Sequence, residues 1–346
     1  MRVEHEPLDP SERRDLLTAL DRLEERLETA PEGLHAFGGR ADEGTLAGAD
    51  LPPGAALLWA RYDGVELMSG EARVFGLVEL ASATEAARAD GLLIDGDVVI
   101  GERGRVLFAL PPDPWAEGAS VVSITEEVER APEASSVIHL LLGLLGEIGV
   151  LYDDDGEFHD GLIDEWGELE PSAHRKLLRR RLDLDPIAPA PRLRLVQLLR
   201  AGEEYRAAAK EADRVLHYAP EYAAAHYEKA RALLSMTQAE PARRSFVRAS
   251  EHAADPINAA AYEAWAACAA HAAQNEDEAR RHAAAVLKAR PDFAQHQLAG
   301  AQGRWTRRDR TGAQELLTLG LAVAPRNLEL LSLRTEIEST PVRDDD

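Results

Sequence analysis

The N-terminal half of the chain alternates between short apolar runs of helical spacing and short runs of strand type. A helix is predicted over residues 10–29, because Asp9 is a good capping residue, Pro10 suits the first helical position and five leucines follow on one face. These leucines are Leu16, Leu17, Leu20, Leu23 and Leu27. A second, shorter apolar helix is predicted over residues 55–62, ending at Asp63-Gly64.

From residue 73 the pattern changes to short runs rich in β-branched and apolar residues. We predict strands at residues 73–80, 91–94, 97–100, 105–110 and 120–124. Asp95-Gly96 separates two of these runs, and Asp-Gly between apolar runs is typical of a hairpin turn. A last apolar helix, residues 134–148, can cover one face of the sheet. The pattern predicts an α+β domain over residues 1–160, with an antiparallel β-meander and flanking helices.

The C-terminal part has helical spacing with a regular period. Prolines stand at positions 186, 220, 256, 291 and 325, spaced by 34, 36, 35 and 34 residues. Small residues recur at two points in each interval, as expected where two antiparallel helices cross closely. The earlier point holds Val196, Ala230, Ala267 and Ala301, and the later one holds Ala208, Ala242, Ala279 and Ala313.

This period resembles the tetratricopeptide repeat (TPR) family. The resemblance implies an all-α TPR solenoid over residues 187–340, with four repeats and a capping half-repeat, and residues 161–186 would form a linker helix. In that family the first helix of each repeat lines a concave groove that docks a peptide or a protein. Groove candidates by register are Gln197, Arg200, Tyr227, Arg231, His271, Gln302 and Trp305. For each, the alternative is an ordinary solvated or packing role.

The N-terminal elements carry a second resemblance. Leu51-Pro52 precedes an apolar helix that ends in Tyr62-Asp63-Gly64, and Ile100-Gly101 leads into the apolar run 106–108. In these features, over residues 10–152, the chain resembles the SUKH superfamily, which includes the fungal cell-wall assembly regulator and many bacterial immunity proteins. The resemblance implies immunity to a secreted toxin through stoichiometric binding that covers the toxin's site.

Charge is distributed unevenly along the chain. The 39 basic and 62 acidic residues give a net charge of −23. Up to position 170 there are 38 acidic against 12 basic residues, or −26, and after it 24 against 27, or +3. An anionic surface repels phosphate backbones, which argues against nucleic acid and favours a basic protein partner, such as a toxin domain. The carboxylates expected at such a contact, with plain solvated surface as the alternative, are Asp63, Glu66, Asp95, Asp97 and Glu102.

Motifs of enzyme chemistry are missing from the sequence. It has no phosphate-binding loop, no dinucleotide fingerprint, no His-Glu-x-x-His and no Gly-x-Ser-x-Gly. Its one cysteine, Cys268, is expected to be a buried thiol. The acidic run 153–157 is expected to be a polar turn, with an acidic contact surface or calcium binding as alternatives. We therefore expect no enzyme activity, no cofactor and no metal site.

One basic cluster opens the C-terminal part. It consists of Arg175, Lys176, Arg179, Arg180 and Arg181, with leucines between them. On a helix, most of these cations share a face that could bind phosphate. The interpretation we favour is a linker helix whose basic face lies against the acidic domain, gaining a modest, screened attraction.

Together these features predict a noncatalytic protein-binding protein, a SUKH-type immunity protein with a TPR array for a further protein contact. The alternative is an intracellular TPR scaffold or regulatory adaptor unrelated to toxins. The start of the chain has no apolar stretch of signal type, and the longest apolar stretch, residues 137–151, is shorter than the ~20 residues of a membrane span. We expect a cytoplasmic protein with no membrane contact.

Overall fold

A computed structural model of the chain describes residues 7–30, 33–114, 119–126, 129–152, 158–159, 161–164, 167 and 169–341. It divides into two compact units. The first comprises Met1–Leu198 with His217–Pro220, and the second comprises Leu199–Leu216 with Glu221–Asp346. The acidic run 153–157, expected as a polar turn, lies outside the described residues.

The first unit is built on one antiparallel sheet. Its strands are β1 (Ala36–Phe37), β2 (Val65–Leu67), β3 (Ala72–Val74), β4 (Val98–Arg103), β5 (Val106–Leu110), β6 (Val121–Ile124) and β7 (Arg130–Ala134). Each strand pairs with the next one along the chain, so the order in the sheet is the order in the sequence. The predicted antiparallel meander is confirmed.

Helices form the other regular elements described in the first unit. They are α1 (Pro10–Thr29), α2 (Glu43–Gly48), α3 (Pro53–Trp59), α4 (Leu77–Ala89), α5 (Val137–Leu151) and α6 (Pro171–Leu184), with a 3-10 turn at Met68–Gly70. Helix α1 has the predicted bounds, and Asp9 caps it by accepting a hydrogen bond from the Ser11 backbone nitrogen at 2.8 Å. Four of its five leucines are buried, and Leu17 is exposed. The buried ones share a core with α3, α5 and the sheet.

Two stretches predicted as strands differ in the structure. Residues 91–94 form no strand, and Asp95-Gly96 is a turn before β4 rather than a hairpin between two strands. The run 73–80 is extended only to Val74, and α4 begins after Gly76. Asp63 Oδ1 accepts a hydrogen bond from the Leu77 backbone nitrogen at 2.7 Å, so a residue on another element caps this helix.

The expected linker helix corresponds to α6. It packs against α5 and belongs to the first compact unit. Arg181, a member of the basic cluster, is only 6% exposed. Its guanidinium lies 2.7 Å from Glu133 Oε1 and 3.3 Å from Glu147 Oε1. Instead of the screened surface attraction that we expected, Arg181 makes buried ion pairs.

The second unit is helical throughout its described residues. Helix α7 begins in the first unit and ends in the second. The helices from there on are α7 (Pro189–Ala201), α8 (Tyr205–Tyr218), α9 (Ala223–Ser235), α10 (Ala239–Glu251), α11 (Pro256–Ala272), α12 (Glu276–Ala289), α13 (Phe293–Thr306), α14 (Arg310–Val323) and α15 (Leu328–Ser339). All the small residues predicted at helix crossings have 0% exposure: Val196, Ala208, Ala230, Ala242, Ala267, Ala279, Ala301 and Ala313. The predicted period of helix pairs is confirmed.

The turn between the two helices has the same backbone conformation in every pair. The residues between its two helices include one with a left-handed backbone, and its φ lies between 59° and 65°. These residues are Glu203, Thr237, Gln274 and Arg308. None is glycine, for which such φ values cost least. A shared and unfavourable turn conformation marks the pairs as copies of one structural unit.

The fourth pair stacks differently from a regular solenoid. Helices α9 to α12 pack in chain order, but the helix that packs on α11 and α12 is α14, the second helix of the fourth pair. Helices α13 to α15 also share a separate core, which consists of Ala294, Leu298, Ala301, Ala313, Leu317, Leu330, Leu333 and Ile337. The neighbour of α11 on this side is therefore α14, where a regular array would place α13.

Candidate functional site

Three charged side chains lie in a row on the sheet of the first unit. Glu66 on β2 is directly opposite Arg73 on β3, which is directly opposite Glu102 on β4. Residues directly opposite one another project from the same face of a sheet. Arg73 Nε donates to Glu102 Oε1 at 2.8 Å. Two of the predicted carboxylates, Glu66 and Glu102, are thus brought to one surface on either side of a cation.

An open cleft of about 330 Å³ adjoins this row. Its walls come from β1, β2, β3 and the start of α4, and its charged lining residues are Asp63, Glu66, Arg73 and Glu79. Three carboxylates against one guanidinium give the cleft a negative balance. Phe37 stands at the edge strand β1 with 44% of its surface exposed, and its ring meets the Tyr62 ring edge-on at 5.2 Å.

The acidic residues of the cleft differ in the hydrogen bonds and ion pairs that their carboxylates form. Asp63 uses Oδ1 to cap α4, and Glu79 Oε2 accepts from the Gly76 backbone nitrogen at 3.0 Å. Glu66 is exposed and forms no ion pair with any residue that the structure describes. Glu66 is therefore the carboxylate of this cleft most open to a partner.

The other two predicted carboxylates lie elsewhere. Asp95 is exposed in the turn before β4. Asp97 is 1% exposed, and both its oxygens accept from Arg130, each at 2.8 Å. Asp97 Oδ2 also accepts from the Ile94 backbone nitrogen at 3.0 Å. This corrects the expectation for Asp97, because its carboxylate is used inside the unit and does not reach a contact surface.

In the second unit, two of the groove candidates form one cluster. Arg231 Nη1 donates to the Tyr227 hydroxyl and to Glu315 Oε1, each at 2.6 Å. The guanidinium carbon lies 4.4 Å from the centre of the Trp265 ring. Burial raises the pKa of Tyr227, so its hydroxyl stays protonated at neutral pH.

Sequence reasoning missed two members of this cluster, Trp265 and Glu315. Trp265 could have been found, because it lies on a first helix one repeat after Arg231. Glu315 could not have been predicted from the sequence. It lies on the second helix of its pair, and a regular array places the second helices outside the groove.

The remaining groove candidates are not part of this cluster. Arg200 Nε donates to Glu228 Oε2 at 2.7 Å, and Trp305 Nε1 donates to Glu336 Oε1 at 3.0 Å. His271 Nδ1, near the end of α11, lies 3.1 Å from Oε1 of Glu276, the first residue of α12. The two glutamines, Gln197 and Gln302, are exposed. That the seven candidates line one groove stays a prediction.

Comparison with known proteins gives a likeness of structure alone. No family model and no curated protein matches the chain. The MamA RS-1 ArsTM double mutant is similar at 17% identity, over 49% of this chain and 89% of that one, with a TM-score of 0.34. YrrB, a TPR protein with an unusual peptide-binding site, is similar at 16% identity, over 46% of this chain and 97% of that one, with a TM-score of 0.22. Both TM-scores are low, so the helix pairs themselves carry the case for a repeat array.

Two further features are absent from the residues that the structure describes. No group of His, Cys, Asp or Glu in that part of the chain is arranged to hold a metal ion. Within the same residues, every helix is too short or too polar to cross a membrane.

Proposed function

We propose that the chain is a noncatalytic protein-binding scaffold or adaptor. The helix pairs of the second unit, which resemble TPR repeats in period and in their buried small residues, would hold one protein. The acidic surface of the first unit would hold another. The observation that carries the proposal is the cleft beside Glu66. The cleft is open, its lining carries a net negative charge, and the exposed Phe37 ring lies at its edge.

The chemistry of the cleft favours a basic segment of a protein. A lysine or arginine of the partner could approach Glu66 from the face of the sheet that also carries Arg73 and Glu102, where Glu66 is exposed. The charge of −26 over the first 170 residues would speed the encounter with such a partner. The contact would therefore weaken as salt is added.

The test compares two charge reversals in the full chain. Proteins that co-purify with the tagged chain are identified, and the most abundant basic one is purified and titrated against wild type, Glu66→Arg and the control Glu85→Arg. Glu85 is an exposed carboxylate on α4 that does not line the cleft. We expect Glu66→Arg to weaken binding by about tenfold or more and Glu85→Arg to change it by less than about twofold. If Glu66→Arg and Glu85→Arg changed the affinity equally, the cleft would not be the binding site of the basic partner.

A SUKH-type immunity protein is the second candidate function. The observation in its favour is that the first unit contains the long helix, the short helix, the antiparallel meander and the closing helix that the SUKH resemblance implies, in that order, with β1 and α2 between the two helices and α4 between β3 and β4. The basic partner would then be a toxin domain covered by the acidic surface. The test is co-expression with a toxin encoded beside this chain, where protection should be stoichiometric and should be lost in Glu66→Arg.

A further inference from the structure

Helix α14 lies over the side of the second unit formed by α9 and α11. Glu315 of α14 binds Arg231 of α9, and the Thr318 backbone oxygen lies 3.8 Å from Cys268 Sγ of α11. Leu319 and Val323 of α14 join the core cluster of α9 to α12. In a regular array this side of the first helices would be open to a partner. Here a helix of the same chain covers it.

The contact at Arg231 has the features of a carboxylate site. The guanidinium stacks on the Trp265 ring, and its side chain is only 19% exposed. Stacking and burial hold a guanidinium in one position before a carboxylate arrives. Glu315 Oε1 accepts from it at 2.6 Å, a distance typical of a charge-assisted hydrogen bond. The site is built from α9 and α11, and Glu315 is the group that fills it.

Helices α13 to α15 have internal contacts that do not depend on Arg231. Their separate core includes Ala313 and Leu317 of α14. Arg310 of α14 donates to the backbone oxygens of Thr340 at 2.9 Å and Ile337 at 2.6 Å, which ties α14 to the end of α15. We call residues 293–339 the C-terminal segment. Displacing the segment would expose Phe293, Leu319 and Val323, which belong to the core of α9 to α12, while its separate core would still hold α13 to α15 together.

We propose that the C-terminal segment is an internal competitor, which covers a surface on α9 and α11 that binds an apolar helix of a partner protein carrying one glutamate. The partner's helix would carry a glutamate in the place of Glu315 and would bind Arg231 when the segment moves away. This rests on the proposed protein-binding function of the second unit. The apparent affinity for the partner is then the intrinsic affinity multiplied by the fraction of molecules in which the segment is displaced.

The probe for the test is a fluorescent synthetic peptide with the sequence of residues 308–325, which contains α14. Its binding to the full chain is followed by fluorescence anisotropy. Glu315→Gln in the chain weakens the internal contact and should raise the affinity for the peptide about tenfold. The control is Glu329→Gln, which removes one exposed charge from the same segment without touching Arg231. Glu329→Gln should bind the peptide as wild type does.

Two further arms test the chemistry of the site. A peptide in which the glutamate is replaced by glutamine should bind Glu315→Gln at least about tenfold more weakly than the original peptide. The double variant Arg231→Gln with Glu315→Gln should lose the preference for the glutamate. Hydrogen exchange of the amides in α14 should be faster in Glu315→Gln than in Glu329→Gln, which reports displacement of the segment directly.

Several results would overturn the inference. The two chain variants could bind the original peptide alike, the glutamine peptide could bind as well as the original, or no variant could bind the peptide at all. None of these results bears on the proposed contact at Glu66. That contact lies in the first unit, has a basic partner and is tested by a separate experiment. Loss of the internal competitor would therefore leave the adaptor function standing, and failure at Glu66 would leave the competitor standing.

Discussion

Arg181 Nη2 lies 2.7 Å from Glu133 Oε1, and the two side chains are 7% and 2% exposed. Arg194 Nη2 approaches the other oxygen, Glu133 Oε2, at 2.7 Å, and the Ser123 hydroxyl donates to the same oxygen at 3.1 Å. Glu133 stands on β7, Arg181 on α6 and Arg194 on α7. A single buried carboxylate thus ties the last strand of the sheet to the two helices that follow it.

Replacing this carboxylate should destabilise the first unit. Glu133→Gln leaves Arg181 with Glu147 at 3.3 Å as its ion-pair partner in the described residues. Breaking a buried pair on one side costs about 3 kcal/mol of the free energy of unfolding, because the buried Arg181 charge is then compensated by the longer contact with Glu147 alone among the described residues. The measurement is urea unfolding of the full chain, with hydrogen exchange in β6 and β7 to assign the transition.

The control for this change is Glu85→Gln, which should alter the free energy of unfolding by less than about 0.5 kcal/mol. The double variant Glu133→Gln with Arg181→Met should cost less than the two single changes added together, since it removes both charges. If Glu133→Gln were no more costly than Glu85→Gln, the pair would contribute nothing to stability.

The same carboxylate predicts a dependence of stability on pH. Burial raises the pKa of Glu133, but the charges of Arg181 and Arg194, with hydrogen bonds from Arg194 and Ser123, outweigh it and hold the pKa at about 2, against an ordinary value of 4.5. Because the pKa is lower in the folded state, this stabilisation is complete above about pH 4.5 and is lost as the pH falls toward 2. Unfolding free energies measured across this window should fall less steeply in Glu133→Gln than in wild type. Parallel curves would contradict the assignment.

Local signals were enough to predict α1 and not enough to predict α4. The cap of α1, its first proline and its leucines all lie within or beside the helix, so local residues are enough to define its bounds. Helix α4 is capped by Asp63, fourteen positions before Leu77, and its first apolar residues continue the alternation of β3. Only the folded sheet brings that cap to the helix.

Prediction of the candidate sites had a similar limit. Residue type and charge selected Glu66 and Glu102 as carboxylates for a partner contact, which stays a prediction, but the register that places Arg73 between them comes from the pairing of three strands. The period of the helix pairs predicted which alanines are buried. It could not predict that α14 takes the place of α13 beside α11, because a period assumes that every repeat stacks alike.

Asp95 and Asp97 look equivalent in the sequence and should behave differently when changed. Asp97 is buried and accepts two hydrogen bonds from Arg130 and one from the Ile94 backbone, whereas Asp95 is exposed in the turn. Asp97→Asn should lower the free energy of unfolding by about 3 kcal/mol, because it removes the buried carboxylate that accepts two hydrogen bonds from the Arg130 guanidinium. Asp95→Asn should change it by less than about 0.5 kcal/mol. Urea unfolding of both variants checks this, and equal costs would rule out the buried role of Asp97.

Cys268 should react slowly with thiol reagents. Cys268 is half-buried, and desolvation raises the pKa of its thiol to about 12, so little of the reactive thiolate forms at pH 8. It is the one cysteine of the chain, so labelling reports this position alone. The native chain should react at least about a hundredfold more slowly than the chain unfolded in urea at the same pH.

A matched control separates burial of the thiol from a general property of the second unit. In the double variant Cys268→Ala with Gln314→Cys, the thiol moves to an exposed position on α14, close in sequence to the Thr318 oxygen that Cys268 meets. That thiol should react at nearly the rate measured in urea, because water reaches it and its pKa has no cause to rise. If native Cys268 reacted as fast as the control, α14 would not be protecting α11, and the covered state on which the internal competitor depends would be absent in solution.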